Sequence, residues 1–583
     1  MSSSDMYADI EKRNRGFLGP DSSALNSQDR QDRRQLRYEL DLNSWNLRIW
    51  GVAASGFLTD SYNLFASNVI LTSISYVYFP GQRWPGVVIN LFTLFGSVVG
   101  QLLFGFLADW FGRTRLYGIE LVLVIVSTIG VATSSYGYND MSFLALFTWW
   151  RFVMGVGIGA EYPLSAVITS EWSSTASRAT MISSVFLMQP IGQALAQLVG
   201  VWVLLGRENQ YDLTGKQCGI NTLNDQECKK IVDGIWRIVI GSGAVPAVLA
   251  IIFRFFLYDC GLYSLEVKRK PGTAFRDTQR IYGAPPAAMN GIGLYSPNGV
   301  HSNGPQPMPV QFSREDLYRY FIQEGNWYYL LGGNSTLPMW KEHGLPSWQT
   351  DFWHPCNTIY DTLLEQAKQY LLTVSIASIA GSACFIFAVN RLPRRQWLTV
   401  SFLLLAVLFV ITGGVYYGVA HKEGAPATVV LVAICHFFFN FGANTLTFII
   451  PAEIFPTTYR CTCHGISAAA GKLGSMVAVV VVYGINAGYN NSKRQGLIFL
   501  LFGSFMAFGA LYSWAYLPDV QRWTSDGNGH RKLENKNLED LGEGRDRARA
   551  EGEVITIKDK WREIRRRGRR QSVSVASGPS RMS

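Results

Sequence analysis

Gly105-Phe106-Leu107-Ala108-Asp109-Trp110-Phe111-Gly112-Arg113-Thr114-Arg115 ends one long apolar block and opens the next. The blocks on either side lie near 86–108 and 116–135. Each is long enough to cross a bilayer, which takes roughly 20 residues. The stretch between them reads as a tight turn between two spanning helices, and its arginines mark the cytoplasmic side. Its glycines let helix ends approach, and Asp109 can pair with an arginine or a helix N-terminus. Gly105, Asp109, Gly112, Arg113 and Arg115 therefore read as a latch on an inner gate. The plainer reading is a basic turn that only fixes topology.

Similar blocks recur near 47–73, 142–168, 180–204 and 234–257, then near 366–389, 396–418, 426–450, 464–486 and 496–517, making eleven clear helices. A twelfth is expected between about 325 and 350, where Trp327 to Leu331 are apolar but Pro338, Lys341, Glu342 and His343 follow. A charge at the bilayer centre costs about 2.5–3.5 kcal/mol on insertion scales. Charge placement argues for this span. With the N-terminus inside, the cytoplasmic loops carry Arg113 and Arg115, Arg178, Arg391 with Arg394 and Arg395, and Arg460. That parity holds in both halves of the chain, and for the arginines at 565–570, only if twelve helices cross.

Composition agrees with a membrane protein. Of 583 residues, 48% are hydrophobic and 16% charged, against about 25% charged in a soluble domain. The net charge of +10 sits beside apolar segments, so it reads as topology and not as nucleic-acid binding. Residues 1–44 are polar, with no apolar core of a cleaved signal, so the first helix is expected to serve as the insertion signal. The eight cysteines show no metal pattern. Cys218 and Cys228 share an expected external loop, where a disulfide is one of two open alternatives.

The chain divides into a cytoplasmic tail (1–45), a six-helix half (46–257), a Pro-rich cytoplasmic linker (258–325), a second six-helix half (326–517) and a disordered cytoplasmic tail (518–583). Residues 313–325 could form a surface helix, Trp561 among basic residues could rest on an anionic leaflet, and Arg569 to Ser572 has a basophilic kinase pattern. The halves echo each other. Glu171 precedes Arg178 by seven residues, and Glu453 precedes Arg460 by seven, each pair between a fourth and a fifth helix. Sequons at Asn334 and Asn490 fall near or in expected external segments and read as glycosylation sites.

Asp60 in the first span, Glu161 in the fourth and Lys472 in the eleventh are ionisable residues inside helices. Intramembrane charges are expensive and usually face a cavity. A buried carboxyl can load and release protons, and a lysine at similar depth can hold an anion. The plainer alternative is that Glu161 and Lys472 neutralise each other. Tyr162, Gln189, Asn440 and Asn444 are polar neighbours that could donate to an oxyanion or glue helices together. The glycines at 155, 157 and 159 fit close helix packing equally well.

The Gly105–Arg115 turn resembles the major facilitator loop motif. The matching turn in the second half, Asn390-Arg391-Leu392-Pro393-Arg394-Arg395, has Asn for the acid and Pro for Gly, and a weaker second latch is expected there. Glu161 to Glu171, Phe437 to Asn444, Pro451 to Thr457 and Cys463 to Lys472 resemble the signatures of fungal and plant proton-coupled phosphate symporters, which include carriers of glycerophosphodiesters. The resemblance spans most of 45–517. It implies an all-α major facilitator fold of about twelve transmembrane helices in two six-helix halves. It also implies a phosphate site of Tyr162, Gln189, Asn444 and Lys472, a proton path through Asp60 and Glu161, no cofactor, and a plasma-membrane location with both termini inside.

The chain departs from that family at three places. Glu161 stands where the family has Asp, and Asn63 stands where it has a second acid. After Glu324-Gly325-Asn326-Trp327, which match, residues 337–355 lose the family's apolar seventh helix with its Trp, Asp and Tyr, and similarity resumes near Asn357. Either the site differs there or the stretch is a wrongly joined exon. The function expected is proton-coupled import of inorganic phosphate or a phosphate ester by alternating access, with the anion, protons and the bilayer as partners. The alternatives are a carrier of another organic anion and a non-transporting nutrient sensor. No nucleotide loop, metal cluster or nucleophile elbow points to an enzyme.

Overall fold

The structure is a computed structural model that describes residues 47–80, 82, 84–136, 141–219, 225–254, 358–419, 425–486, 492–525, 531–536, 538 and 541. The expected linker and seventh helix, both sequons, the kinase pattern and Trp561 lie outside the described residues.

Each of the eleven apolar blocks contains helix. In the first half these are α1 (Leu47–Tyr78), α2 (Trp84–Phe111), α3 (Arg113–Leu116) with α4 (Ile119–Ala132), α5 (Phe143–Trp172), α6 (Arg178–Phe186) with α7 (Met188–Tyr211), and α8 (Asp225–Gly241) with α9 (Ala244–Arg254). In the second half they are α10 (Ile359–Tyr370) with α11 (Ile376–Ala388), α12 (Arg394–Val419), α13 (Ala425–Phe438) with α14 (Asn444–Ile454), α15 (Arg460–Asn486) and α16 (Ser492–Tyr516). Among the described residues, ten helical stretches are long and apolar enough to cross a membrane. The remaining block, α1, is 32 residues long but buries Thr59, Asp60, Ser61, Asn63 and Ser67 on its inner face, which lowers its apolar character.

Without a hydrophobic force between helices in lipid, close backbone approach must hold the bundle together. The glycines supply it. A Cβ at Gly100 would strike the Val156 carbonyl of α5, and one at Gly159 would strike the Ser97 carbonyl of α2. Large side chains such as Phe92, Leu103, Trp149, Trp202, Leu403 and Phe387 point outward, as lipid-facing residues do. A buried cluster joins the halves, with Phe57, Ala166, Ile182 and Phe186 packed on Phe439, Leu446, Phe448 and Tyr459.

Two short π-helical turns interrupt the second half, at Leu371–Ser375 and Phe439–Ala443. The second separates α13 from α14 and sets the phase of Asn440 and Asn444. Such turns recur at functional sites.

Cys218, after α7, and Cys228 of α8 are bridged, with Cα atoms 5.5 Å apart. The Cys218 carbonyl accepts from Ile359 N at 2.9 Å, so the stapled loop touches the first residue of α10. Thr72 Oγ1 donates to Gln366 at 3.0 Å and Gln193 Nε2 donates to Tyr370 at 2.7 Å, joining the halves below it.

The expectation of disorder from 518 onward does not hold at its start. β1 (Gln521–Ser525) and β2 (Arg531–Asn535) form an antiparallel hairpin with Gln521 opposite Asn535. Its open end is bound by both halves. Asn535 accepts from Arg394 Nη2 at 2.6 Å and donates to the Thr175 carbonyl at 2.7 Å. Residues 521–525, Gln-Arg-Trp-Thr-Ser, hold one apolar side chain and no alternation, so the sequence carried no strand signal there.

Candidate functional site

The Gly105–Arg115 turn is built as a cap. The Asp109 carboxylate accepts from Thr462 N at 2.7 Å, Thr462 Oγ1 at 2.7 Å and Cys461 N at 3.4 Å. These are the first N–H groups of α15, which lack partners within their own helix and carry the positive end of its dipole. Gly105 and Gly465 make the crossing possible, since a Cβ on Gly105 would lie 2.8 Å from the Cys461 carbonyl. Gly112 turns the chain at φ 105°, a region that side chains avoid.

The arginines beside it are mostly not surface anchors. Arg113, Arg178, Arg394 and Arg460 are each at most 2% exposed. Glu171 Oε1 is shared by Arg113 of its own half at 3.2 Å and Arg460 of the other at 3.1 Å. Glu453 is held by Arg394 through both oxygens at 2.6 and 2.7 Å. Arg178 donates to the Lys536 carbonyl behind the hairpin at 3.3 Å. Arg115 is exposed. In the second half, Asn390 Nδ2 donates to Thr180 of α6 at 2.9 Å. That single exposed bond is the counterpart of the three made by Asp109, as the Asn-for-acid change leads one to expect.

Deeper in the first half lies a buried charge cluster. Glu161 Oε2 accepts from Arg254 Nη2 at 2.7 Å, and its Oε1 accepts from Tyr117 at 2.9 Å. Arg254 also pairs with Glu120 and stacks on the Tyr117 ring, 3.8 Å from its centroid. A Cβ at Gly56 would collide with Arg254 and with Glu161, so that glycine keeps the pair together. Asp60 lies within electrostatic range of Glu161, Arg254 and Glu120, yet neither of its oxygens has a hydrogen-bond partner among the described residues.

The alternative of a Glu161–Lys472 pair is therefore not realised. Lys472 Nζ instead lies over the Tyr162 ring, 5.1 Å from its centroid. Gln189 Nε2 donates to Tyr162 Oη at 3.4 Å, while Gln189 Oε1 is buried without a partner among the described residues. Tyr162 packs edge-on against Phe57 and Phe448, at 5.1 and 6.3 Å. Asn444, one helical turn before Phe448, donates to Asn440 at 2.9 Å. The structure thus brings Tyr162, Gln189 and Lys472 together, places Asn444 behind Phe448, and puts Glu161 in a separate network. Asn63, the missing second acid, donates to the Thr59 and Gly243 carbonyls and acts as a bridge between α1 and the α8–α9 turn.

Sequence reading missed Glu120 and Arg254. Glu120 carried a signal, being an acid inside an apolar block. Arg254, at the end of an apolar block, carried no signal that sets it apart from a loop charge.

Comparisons with known proteins agree with this architecture. The family described as Sugar (and other) transporter matches residues 49–297 and 357–524. The unmatched gap contains the stretch where the seventh-helix pattern is lost. The inorganic phosphate transporter PHO84 of Saccharomyces cerevisiae is 33% identical over 509 residues, covering 81% of this chain and 82% of that protein. The repressible high-affinity phosphate permease of Neurospora crassa is 31% identical, covering 86% of this chain and 90% of its own. A probable inorganic phosphate transporter of Arabidopsis thaliana, numbered 1-9, is 30% identical over 80% of this chain and 90% of its own. In fold, the chain is similar to the proton:xylose symporter XylE, with a TM-score of 0.61 at 17% identity over 85% of this chain and 98% of that one. FucP in its outward conformation gives 0.52 at 12% identity, over 80% and 98%.

Proposed function

Since this chain belongs to the Sugar (and other) transporter family and is a multi-pass major facilitator carrier, we propose that it imports inorganic phosphate together with protons across the plasma membrane, with both termini cytoplasmic. The observation that carries this reading is the similarity to three phosphate transporters at 30–33% identity over four fifths or more of the chain. The site chemistry supports it. An ammonium at Lys472, the Tyr162 hydroxyl and the Gln189 amide offer a charge and hydrogen-bond donors suited to an oxyanion.

In this mechanism phosphate docks between Lys472 and Tyr162, with Gln189 and Asn444 donating around it. Asp60 and Glu161 carry the proton. An ionised carboxylate without a partner in an apolar interior is costly, so Asp60 is suited to hold a proton while the site is closed to water. The halves then rock about the site. Opening inward breaks the Asp109 cap on α15, the Glu171–Arg460 pair and the weaker Asn390–Thr180 bond. Gly105, Gly112, Arg113, Arg178 and Glu453 position those gate contacts, and Arg115 faces the cytoplasm beside them. Deprotonation on the cytoplasmic side releases the anion and resets the carrier.

The test is uptake of labelled phosphate into cells lacking their own phosphate transporters, at acid and neutral pH, with unlabelled glycerophosphodiester as competitor. Acid-stimulated uptake that the ester does not compete is the expected result. Competition by the ester at lower concentration than phosphate would assign a phosphate ester instead. Binding of phosphate without uptake would point to a sensor.

A further inference from the structure

We propose that Arg254 is the positioning residue of the proton site, a fixed cation shared by Glu120 and Glu161 that releases Glu161 when this acid takes its proton. The inference rests on the reading of proton-coupled anion uptake and adds a residue and a switching step to it.

The argument is one of charge and geometry. Arg254 is 6% exposed, and its two terminal nitrogens serve different acids, Nη1 on Glu120 of α4 and Nη2 on Glu161 of α5. Asp60 of α1 is the third acid within range, and it has no hydrogen-bond partner among the described residues. Tyr117 supplies the ring beneath the guanidinium and a hydroxyl to Glu161 Oε1. Lys472 lies over the Tyr162 ring, and Arg151 of α5 donates to Thr93 of α2 and to the Asn63 carbonyl of α1. Three carboxyls thus face one arginine. With all three ionised the cluster would carry an excess of two negative charges in a desolvated place, which several kcal/mol per ion forbids. At least one carboxyl must hold a proton, and among the described residues Arg254 is the cation paired with these acids.

The two acids are not equivalent. Glu120 also accepts from Gly118 N at 2.8 Å and so is anchored without the arginine. Among the described residues, Glu161 has only Arg254 and the Tyr117 hydroxyl on its carboxylate. Protonating Glu161 removes its charge and leaves Arg254 to Glu120, which frees α5 from α9. Because Tyr162 follows Glu161 directly, that change is delivered to the anion site. Gly56 is the space in which the exchange occurs, since a side chain there would overlap both partners.

The experiment measures phosphate uptake and phosphate counterflow against external pH for wild type, Arg254→Gln, Arg254→Lys and Glu120→Gln, with surface protein quantified for each. Arg254→Gln should keep counterflow but lose net uptake at least tenfold, and its residual flux should be flat with pH, because acids without a cation stay protonated. Arg254→Lys should restore pH-dependent net uptake. Glu120→Gln leaves the whole cation to Glu161, so half-maximal uptake should move to a more acid pH. Wild-type pH profiles in Arg254→Gln and Glu120→Gln, differing only in amplitude, would overturn the proposal and leave the transport reading intact. If Arg254→Gln does not reach the surface, the Glu120→Gln midpoint decides alone. A wild type with no acid-stimulated phosphate uptake would overturn the transport reading and this inference together.

Discussion

The Asp109 carboxylate in the first half accepts both the backbone N–H and the hydroxyl of Thr462 in the second, each at 2.7 Å. One acid thereby caps a helix of the opposite half and ties the two halves together at the Gly105–Arg115 turn.

Breaking that cap should open the inner gate. A hydrogen bond to a charged group contributes about 1.5–3 kcal/mol, so Asp109→Ala is expected to shift the closed-to-open ratio by about ten- to a hundredfold. Cys461 and Cys463 are fully buried beside the cap and provide the readout. Their labelling by a cytoplasmic maleimide should rise sharply in Asp109→Ala. Unchanged labelling would show that the cap does not gate access.

The hairpin after the last helix is expected to reinforce the same closed state. Asn535 bonds Arg394 of one half and the Thr175 carbonyl of the other. Asn535→Ala should raise thiol labelling by less than Asp109→Ala, by about threefold to tenfold, for the loss of about 1 kcal/mol. A double variant tests whether the two act on one equilibrium, which predicts that their free energies add.

Gly112 is required by its backbone. At φ 105° a side chain costs about 1–2 kcal/mol. Gly112→Ala should therefore lower the melting temperature or the surface amount slightly and displace Arg113, with reduced uptake. Gly118→Ala, also at positive φ and with no neighbour within 4 Å of its Cβ, should show the strain without the loss of the latch.

Lys472 is expected to dominate anion affinity. Its replacement by Ala should raise the phosphate KM by about ten- to a hundredfold, the value of about 1.5–3 kcal/mol for a charge-assisted bond. Tyr162→Phe should have a smaller effect, since the ring is kept and only the hydroxyl is lost.

The helices were legible because each is an uninterrupted apolar run, and the cap at Asp109 because its glycines and acid sit in one short turn. Arg254 and the hairpin were not. A cation at the end of an apolar run serves topology in most helices, and only the packing of α4, α5 and α9 turns Arg254 inward. A Glu161–Lys472 pair was the plainer alternative because these are an acid and a base inside spans. Glu120 changes the arithmetic by bringing a second acid to Arg254. Arg113, Arg394 and Arg460 count in the sequence as loop charges, with Arg113 also in the latch, but they are buried against glutamates whose distance along the chain hides the pairing.

The most direct test of the whole account is proton movement itself. The purified protein would be placed in liposomes enclosing a pH-sensitive dye, and phosphate added outside at acid pH. The account predicts prompt internal acidification that requires phosphate, is abolished by Glu161→Gln and is strongly reduced by Lys472→Ala. Phosphate entry without acidification, or acidification unchanged in Glu161→Gln, would contradict proton coupling through this site.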